Sequence, residues 1–357
     1  MTSGDVKRRG TEATPPEVSR LGEVLDGHDS MLVFCHMNPD PDSIASGLAM
    51  KLLLERRFGK TVTLCYRGII GRAQNREMVR LLAPELTRFR DVECLDFNAA
   101  VLVDAQPEFG FNPDDLLELE QDVPLQVCID HHPFVESTRA IPFHDVRPGL
   151  GATSTIMTGY LRLFSIVPTA AVATALYYGI KTDTLGLTRR TTDEDRAAYA
   201  YLAEFVDHET LERIEHPPLT RAYFRDLASA IDTARVFGPL VLTHLDEVPY
   251  PDLVAEIADL LLKVEDVHWA ICVARFEKVV VVSVRTSAPD GDAGVLIRDV
   301  VGTLGTAGGH NTMAAARIPL DGDEPRVFEE VVELLRGRLL TRLGLDAADG
   351  EPLASRP

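Results

Sequence analysis

The stretch Val127-Cys128-Ile129-Asp130-His131-His132-Pro133 sets an acid and two imidazoles at the end of an apolar run. The run reads as a buried strand, and its polar end lies where the chain leaves the sheet. In an open α/β sheet, ligands bind at that end of a strand. Other apolar runs in the N-terminal half also stop at acids. Leu32–Cys35 leads into His36-Met37-Asn38-Pro39-Asp40-Pro41-Asp42-Ser43, the run from Ala100 ends at Asp104, and the run from Tyr177 ends at Asp183. A single acid at such a place is an ordinary cap or turn former. Four clusters that share only carboxylates and imidazoles, spread over ~150 residues, point to convergence on metal ions.

In the first cluster, alternate residues of an extended loop can face two neighbouring metals. Pro39 and Pro41 stiffen the loop and so lower the entropy lost in fixing ligands. Asp104 offers two oxygens and can bridge two ions. Asp183 carries little signal on its own.

The elements that must place these residues follow from the pattern. A strand at Met31–Cys35 is followed by the His36–Ser43 loop. Ser43 is the expected N-cap of a helix from about Ile44 to Phe58, and Thr61–Tyr66 is the next strand. A helix through Leu82 carries Arg72, Asn75 and Arg76 on its early turns. Val92–Leu95 and Ala100–Asp104 read as short strands and Gln126–Asp130 as the central one. Gly149–Ser154 opens a helix, and Pro168–Lys181 reads as a buried, Ala-rich helix. Alternation of strands and helices through about residue 200 predicts an α/β fold with a parallel-sheet N-terminal domain. A smaller α/β C-terminal domain with a mixed sheet is expected after it, with the active site in the cleft between the two. The boundaries expected are a disordered tail at 1–17, a catalytic domain at 18–192, a helical connector at 193–236, a substrate-binding domain at 237–343 and a disordered tail at 344–357.

The four clusters resemble, in order, the four motifs of the DHH phosphoesterase superfamily: His36-x-Asn38-Pro39-Asp40-x-Asp42-Ser43, Asp104, Asp130-His131-His132 and Gly179-x-x-Thr182-Asp183-Thr184. Gly308-Gly309-His310 resembles the glycine-rich motif of the DHH-associated C-terminal domain, although Ala307 stands where that motif has a third glycine. The chain is most similar to the bacterial nanoRNase/pAp-phosphatase subgroup. RecJ-type exonucleases share the motifs but are larger. The resemblance covers about residues 18–337.

The resemblance implies two divalent ions, usually Mn²⁺. One would take His36, Asp40 and a bridging Asp104. The other would take Asp42, Asp104, His131 and Asp183. His132 would face the substrate phosphate and protonate the leaving oxygen, and Asp130 would orient the imidazoles. Oxygen-rich ligands with imidazoles also suit Mn²⁺ on chemical grounds. Two ions about 3.5–4 Å apart can generate a bridging hydroxide and clamp phosphoryl oxygens. In the C-terminal domain, Gly308, Gly309 and His310, in an open loop at Gly305–Asn311, are expected to cradle a phosphate with backbone N–H groups. Arg285 resembles the family's substrate-binding arginine. The expected substrates are short RNA, linear dinucleotides such as pApA, and pAp, hydrolysed to mononucleotides. A homodimer is expected from the family alone.

Two rivals are open. A manganese-dependent pyrophosphatase shares the metal motifs, but its C-terminal domain carries a basic clamp, and few basic residues lie between Val279 and Leu320. A catalytically weak nucleotide sensor would be expected to have lost a ligand, and none is missing.

Composition narrows the partners further. The 357 residues are 45% hydrophobic and 25% charged, with a net charge of −19. That surface disfavours long duplexes, whose phosphates need a basic face. No apolar run is long enough to span a membrane. The five cysteines, at 35, 65, 94, 128 and 272, lie in or beside apolar runs without metal-ligand spacing. They are expected to be buried thiols of a cytoplasmic protein.

Overall fold

The computed structural model describes residues 15–92, 97–118, 123–320 and 325–354. The chain divides into two units, one through Pro217 and one from Pro218. In the first, α1 (Pro15–Val24) precedes β1 (Ser30–Phe34), α2 (Pro41–Phe58), β2 (Thr61–Tyr66), α3 (Ala73–Leu82) and the short β3 (Thr87–Arg88). β4 (Ala99–Val103) is followed by two short paired strands, β5 (Gln106–Pro107) and β6 (Gly110–Phe111), and then by β7 (Leu125–Asp130) and β8 (Phe143–Val146). Four helices complete the unit: α4 (Thr153–Leu163), α5 (Ala170–Asp183), α6 (Asp193–Leu202) and α7 (His208–Glu215).

The main sheet runs β3-β2-β1-β4-β7-β8, with every pairing parallel. Its central strands β1 and β4 and most of β7 are buried on both faces, which is why they read as continuous apolar runs. Met31 and Val33 pack with the helices, while Leu32 and Phe34 join Phe89, Phe111 and Ile141 on the other face. Register sets the chemistry. Phe34 lies opposite Leu102, and Val103 lies opposite Ile129, so the three central strands end at one level. His36, Asp104 and the Asp130–His132 triplet therefore leave the sheet side by side. Chain order also reverses between β1 and β4, which makes this the switch point where open α/β sheets bind ligands.

Two local expectations are corrected. The helix after β1 begins at Pro41, not Ile44. Asp40 is its N-cap, accepting the Ser43 N–H, and Pro41 occupies the first turn. Proline loses nothing there, because that N–H has no partner in any helix. Asp42 is thus a helix residue and not part of an extended loop. Likewise the apolar run ending in Asp183 does not close a strand as the other runs do: it is the last turn of α5, the helix expected at Pro168–Lys181, so this acid arrives from a helix C-terminus. Gly179 makes that arrival possible. A Cβ there would stand 2.5 Å from Ser154 Oγ and 3.1 Å from Asp42 Cα.

In the second unit, α8 (Arg221–Thr233), β9 (Arg235–Phe237), β10 (Leu240–Leu245), α9 (Asp252–Leu261), β11 (Trp269–Phe276) and β12 (Val279–Thr286) come first. α10 (Ala293–Val301), β13 (Thr306–His310), β14 (Met313–Pro319), α11 (Pro325–Leu343) and β15 (Glu351–Pro352) follow. The sheet order is β13-β14-β12-β11-β10-β9-β15, mixed because only β10 and β11 pair parallel. Ile257 and Val254 of α9 cover one face, while Ile297 of α10 and Leu335 of α11 cover the other.

The connector expected at 193–236 does not stand as a separate piece. Ala198, Leu202, Leu211 and Ile214 belong to the first core, whereas Ala230 of α8 belongs to the second. The C-terminal tail, expected to be disordered from 344, instead pairs Glu351 and Pro352 with β9. Residues 1–14 of the expected N-terminal tail, most of the strand expected at Val92–Leu95, and Cys94 lie outside the described residues. Cys35, Cys65, Cys128 and Cys272 are buried free thiols. No described helix is long and apolar enough to cross a membrane.

The contrast between two helical glycines is testable. Gly159 of α4 has open space around its missing Cβ, so Gly159→Ala should add about 0.5–1 kcal/mol of stability. Gly179→Ala should remove about 1–3 kcal/mol by overpacking. Thermal denaturation of both variants checks this, and equal melting temperatures would refute the close-approach argument.

Candidate metal centre

Asp104 sits one residue past β4 with φ 57°, a left-handed backbone that Asp tolerates better than most residues. Its carboxyl is buried and stands among three imidazoles. Oδ2 is 3.6 Å from His36 Nε2, and Oδ1 is 3.7 Å from both His131 Nε2 and His132 Nδ1. His36 Nε2 is also 3.5 Å from Asp40 Oδ1. His131 Nε2 lies 3.9 Å from Asp42 Oδ2 and 3.4 Å from Asp183 Oδ2. Three sets of potential ligands result, each with its donor atoms within 4.8 Å of one another: His36 with Asp40 and Asp104, Asp42 with His131 and Asp183, and Asp104 with His131 and His132. All six expected ligands are thus brought together, with Asp104 in two of the sets.

The hydrogen bonds around these groups hold the donors facing inward. His36 Nδ1 bonds the Met37 carbonyl at 2.8 Å and His131 Nδ1 the Leu150 carbonyl at 3.2 Å, leaving each Nε2 toward the acids. Asp42 accepts the N–H groups of Thr153 and Ser154, both at 2.7 Å, at the start of α4. The Thr153 hydroxyl donates to Asp104 Oδ1 at 2.8 Å. His131 Nε2 is buried with no hydrogen-bond partner, although three carboxylate oxygens surround it. Buried polar atoms are rarely left so. A cation among these oxygens and nitrogens would satisfy that atom and neutralise the acids, so the residues present fit a divalent metal.

Crowding shifts the carboxyls in opposite directions. Burial, then the charges of Asp42, Asp40, Asp130 and Asp183, push Asp104 well above the usual carboxylate range. Burial and the charges of Asp40 and Asp42 do the same to Asp183, against a smaller pull from Arg189. Burial also raises Asp42, outweighing the pull of His131. For Asp40, loss of water acts upward but is outweighed by His36 and the Ser43 N–H, so it is held low. Burial likewise opposes ionisation of Asp130, but His132 and Gln106 overcome it and hold this acid low.

Asp130 is the hub of a second layer. One oxygen accepts the His131 N–H at 2.8 Å and lies 2.9 Å from His132 Nδ1, and the other accepts Gln106 Nε2 at 2.7 Å. An ionised acid can only accept, so His132 carries its proton on Nδ1 there. Gln106 was not foreseen from the sequence. It is fully buried, donates also to the Pro133 carbonyl, and accepts from the Val135 N–H and the Thr138 hydroxyl. It thereby fixes the whole turn after His132. Thr153, in the helix start expected at Gly149–Ser154, likewise has no local signature of its bond to Asp104.

The expected residues of the second unit lie differently. The supposed open loop is largely strand β13, in which Gly308 pairs with Ala315 and Gly309 with Ala314. Glycine is required for close packing: a Cβ on Gly309 would stand 2.4 Å from Ala314 Cα, and one on Gly294 would stand 2.6 Å from the Gly309 carbonyl oxygen. His310 ends the strand, and its side chain lies outside what is described. Arg285 is engaged by Asp259, Ser283 Oγ and the Val284 carbonyl. Asn75, on an early turn of α3, is buried.

The raised acids make a prediction for the metal-free protein. Asp104, Asp183 and Asp42 bind protons more tightly folded than unfolded, so their ionisation costs stability as pH rises from the unfolded value near 4 through the folded one. His36, raised when folded, also loses stabilisation as pH rises through its folded value. The lowered Asp40 and Asp130 act only below about pH 4. Metal-stripped protein should therefore melt at a lower temperature at about pH 8 than at about pH 5, and Asp104→Asn should raise the pH 8 value. Calorimetry across pH checks it, and a melting temperature that climbs with pH would contradict the charge assignment.

Comparison with known proteins agrees with this geometry. Residues 30–180 match the DHH family, N-terminal domain, and residues 239–338 match the DHHA1 domain. The uncharacterised protein MJ1633 of Methanocaldococcus jannaschii is 32% identical over 322 residues, 88% of this chain and 64% of that protein. The bifunctional oligoribonuclease and PAP phosphatase NrnA of Thermus thermophilus is 28% identical over 91% of this chain and 94% of its own length. A probable manganese-dependent inorganic pyrophosphatase of Exiguobacterium is 31% identical over 51% of this chain and 57% of that protein. The chain thus spans under two thirds of both the archaeal protein and the pyrophosphatase. Among solved structures, an exopolyphosphatase-related protein of Bacteroides fragilis superposes with a TM-score of 0.72 at 14% identity, covering 92% of this chain and 96% of that one. With both matches in chain order and the motif residues gathered at one end of the sheet, the chain carries the N-terminal domain of the DHH family followed by a DHHA1 domain.

Proposed function

We propose that this protein is a two-metal phosphoesterase acting on short nucleic acids: nanoRNA, linear dinucleotides such as pApA, and pAp. The observation that carries the reading is Asp104, whose Oδ2 lies 3.6 Å from His36 and whose Oδ1 lies 3.7 Å from His131, so that one carboxyl faces both groups of ligands. His36, Asp40 and Asp104 would hold one ion, and Asp42, Asp104, His131 and Asp183 the other, with Mn²⁺ the ion expected. Such ions supply the positive charge a phosphoryl group needs and the acidity that makes water a nucleophile near neutral pH.

The chain's own residues would do the rest. Asp130 holds His132 at Nδ1, so the ring can hold on Nε2 the proton that the leaving oxygen takes. Gln106 keeps Asp130 and the turn after His132 in place. A net charge of −19 repels long polyanions and tolerates short ones whose charge the metals meet locally. NrnA of Thermus thermophilus, similar along nearly the whole of both chains, acts on oligoribonucleotides and PAP, which favours this substrate class. In the second unit, Arg285 would bind a substrate phosphate by exchanging Asp259 for it.

The pyrophosphatase reading has the support of relatives that match about half of this chain. The DHHA1 domain at residues 239–338 favours the oligonucleotide reading over it.

Hydrolysis of pAp, pApA, a five-nucleotide RNA, cyclic di-AMP and pyrophosphate by the Mn²⁺-loaded protein, beside Asp104→Ala, tests the assignment. Mononucleotide release from the short substrates, abolished in the variant, is expected. Turnover of pyrophosphate alone would move the activity to pyrophosphatase. His132→Ala should lower kcat by ~10²–10⁴-fold with a much smaller change in KM. A change confined to KM would remove His132 from proton transfer.

A further inference from the structure

Four large apolar side chains stay exposed close to the metal-centre residues. Met37, next to His36, is 42% exposed, Phe109 41%, Phe134, two residues after His132, 39%, and Leu185, two residues after Asp183, 58%. Single exposed apolar residues are ordinary, but a set flanking one polar site marks a surface that contacts something. Phe109 is the best placed of them. Its ring centroid is 4.7 Å from that of His132, and the planes are tilted by 48°. His132 in turn stands 3.7 Å from Asp104 at the shared corner of the metal sets.

The loop holds that ring in place. Gln106 and Phe109 exchange backbone hydrogen bonds, each 2.9 Å, and the Glu108 N–H bonds the Phe111 carbonyl at 2.8 Å. Glu108 and Gly110 both take positive φ, 69° and 73°, so the turn is tight. The Met37 N–H bonds the Gly110 carbonyl at 2.8 Å, tying this loop to the one that carries His36. A Cβ on Gly110 would lie 3.0 Å from His36 Cβ, so glycine permits the approach. The result is a loop backbone fixed in advance that presents the Phe109 ring beside the centre, which lowers the ordering cost of binding.

We propose that Phe109 is the stacking platform for the nucleobase adjoining the scissile phosphate, so that the site selects phosphoesters that carry a base. This rests on the phosphoesterase reading above. A phosphate held at the Asp104 corner would bring its nucleoside beside His132, where the exposed Phe109 ring lies. Base–aromatic stacking tolerates any base because every base has a π-face. The platform would therefore distinguish nucleotides from pyrophosphate without setting sequence preference.

The test compares Phe109→Ala and Phe109→Trp with the unaltered Mn²⁺-loaded protein, on pApA and on its abasic counterpart. Phe109→Ala should lower kcat/KM for pApA by roughly ten- to a hundredfold, with a clearly smaller loss on the abasic compound. Phe109→Trp should restore most of the pApA activity. Equal losses on both compounds would make the ring a mere support for His132 and overturn the proposal, as would no loss on either. If the unaltered protein cleaves only base-free phosphates, the nucleotide reading itself fails and Phe109 has no base to stack.

Discussion

Negative charge gathered out of water is the constraint on which the first unit depends. Asp42, Asp104 and Asp130 are buried, with Asp40 and Asp183 beside them, and the imidazoles of His36, His131 and His132 are the only potentially cationic groups in the ligand sets. Isolated carboxylates do not persist in such surroundings, since each would protonate or draw in a counter-charge. The raised Asp104 and Asp183 are the expression of that conflict. A fold that served stability alone would have no reason to bring these acids together.

What keeps the acids in place without a cation is mostly backbone. The first turn of α4 gives two N–H groups to Asp42, and the partial positive charge of a helix N-terminus favours an anion there. Asp183 meets the opposite condition, at the C-terminal end of α5, where the helix repels it. The difference orders the two acids chemically. Asp42 is tied into the scaffold by backbone N–H groups, whereas Asp183 has the Arg189 charge and the His131 ring, 3.4 Å away, in its favour.

The centre was legible in the sequence because its residue types are scarce at strand ends. Asp130-His131-His132 after an apolar run has few other uses, and the parallel sheet followed from strand and helix alternation. Geometry that depends on partners was not legible. Asp42 was read as a loop residue because Ser43 is as good a cap as Asp40, and only the fold decides which of them caps. Gln106, between Ala105 and Pro107, has no local signature, and its role exists only once Asp130 and Pro133 come to it. The glycines at 308 and 309 were read as a loop because glycine disfavours strands. At Gly309, packing against Ala314 and Gly294 overrides that preference, since no larger residue fits, whereas Gly308 has open space around its missing Cβ.

Backbone strain is shared between the site and ordinary turns, since Ser165, Asp266 and Glu277 also take positive φ outside the segments that carry the ligands. Asn38, Asp104, Glu108 and Leu185 all take positive φ, and each lies in a segment that carries or borders a site residue. For Leu185 this conformation costs on the order of 1–2 kcal/mol, because its Cβ crowds the following carbonyl. Such strain persists only where surrounding bonds over-determine it. Asn38 shows how: its N–H bonds the Arg67 carbonyl at 2.9 Å, and its Oδ1 accepts the Ile69 N–H at 2.7 Å. Those two bonds lock the His36 loop to the loop after β2, where Gly68 leaves room for the Asn38 side chain. Burial alone would select a relaxed turn at these positions. The turns at Asn38, Asp104 and Glu108 set the directions in which His36, Asp104 and Phe109 leave the backbone, and the bonds around them hold those directions.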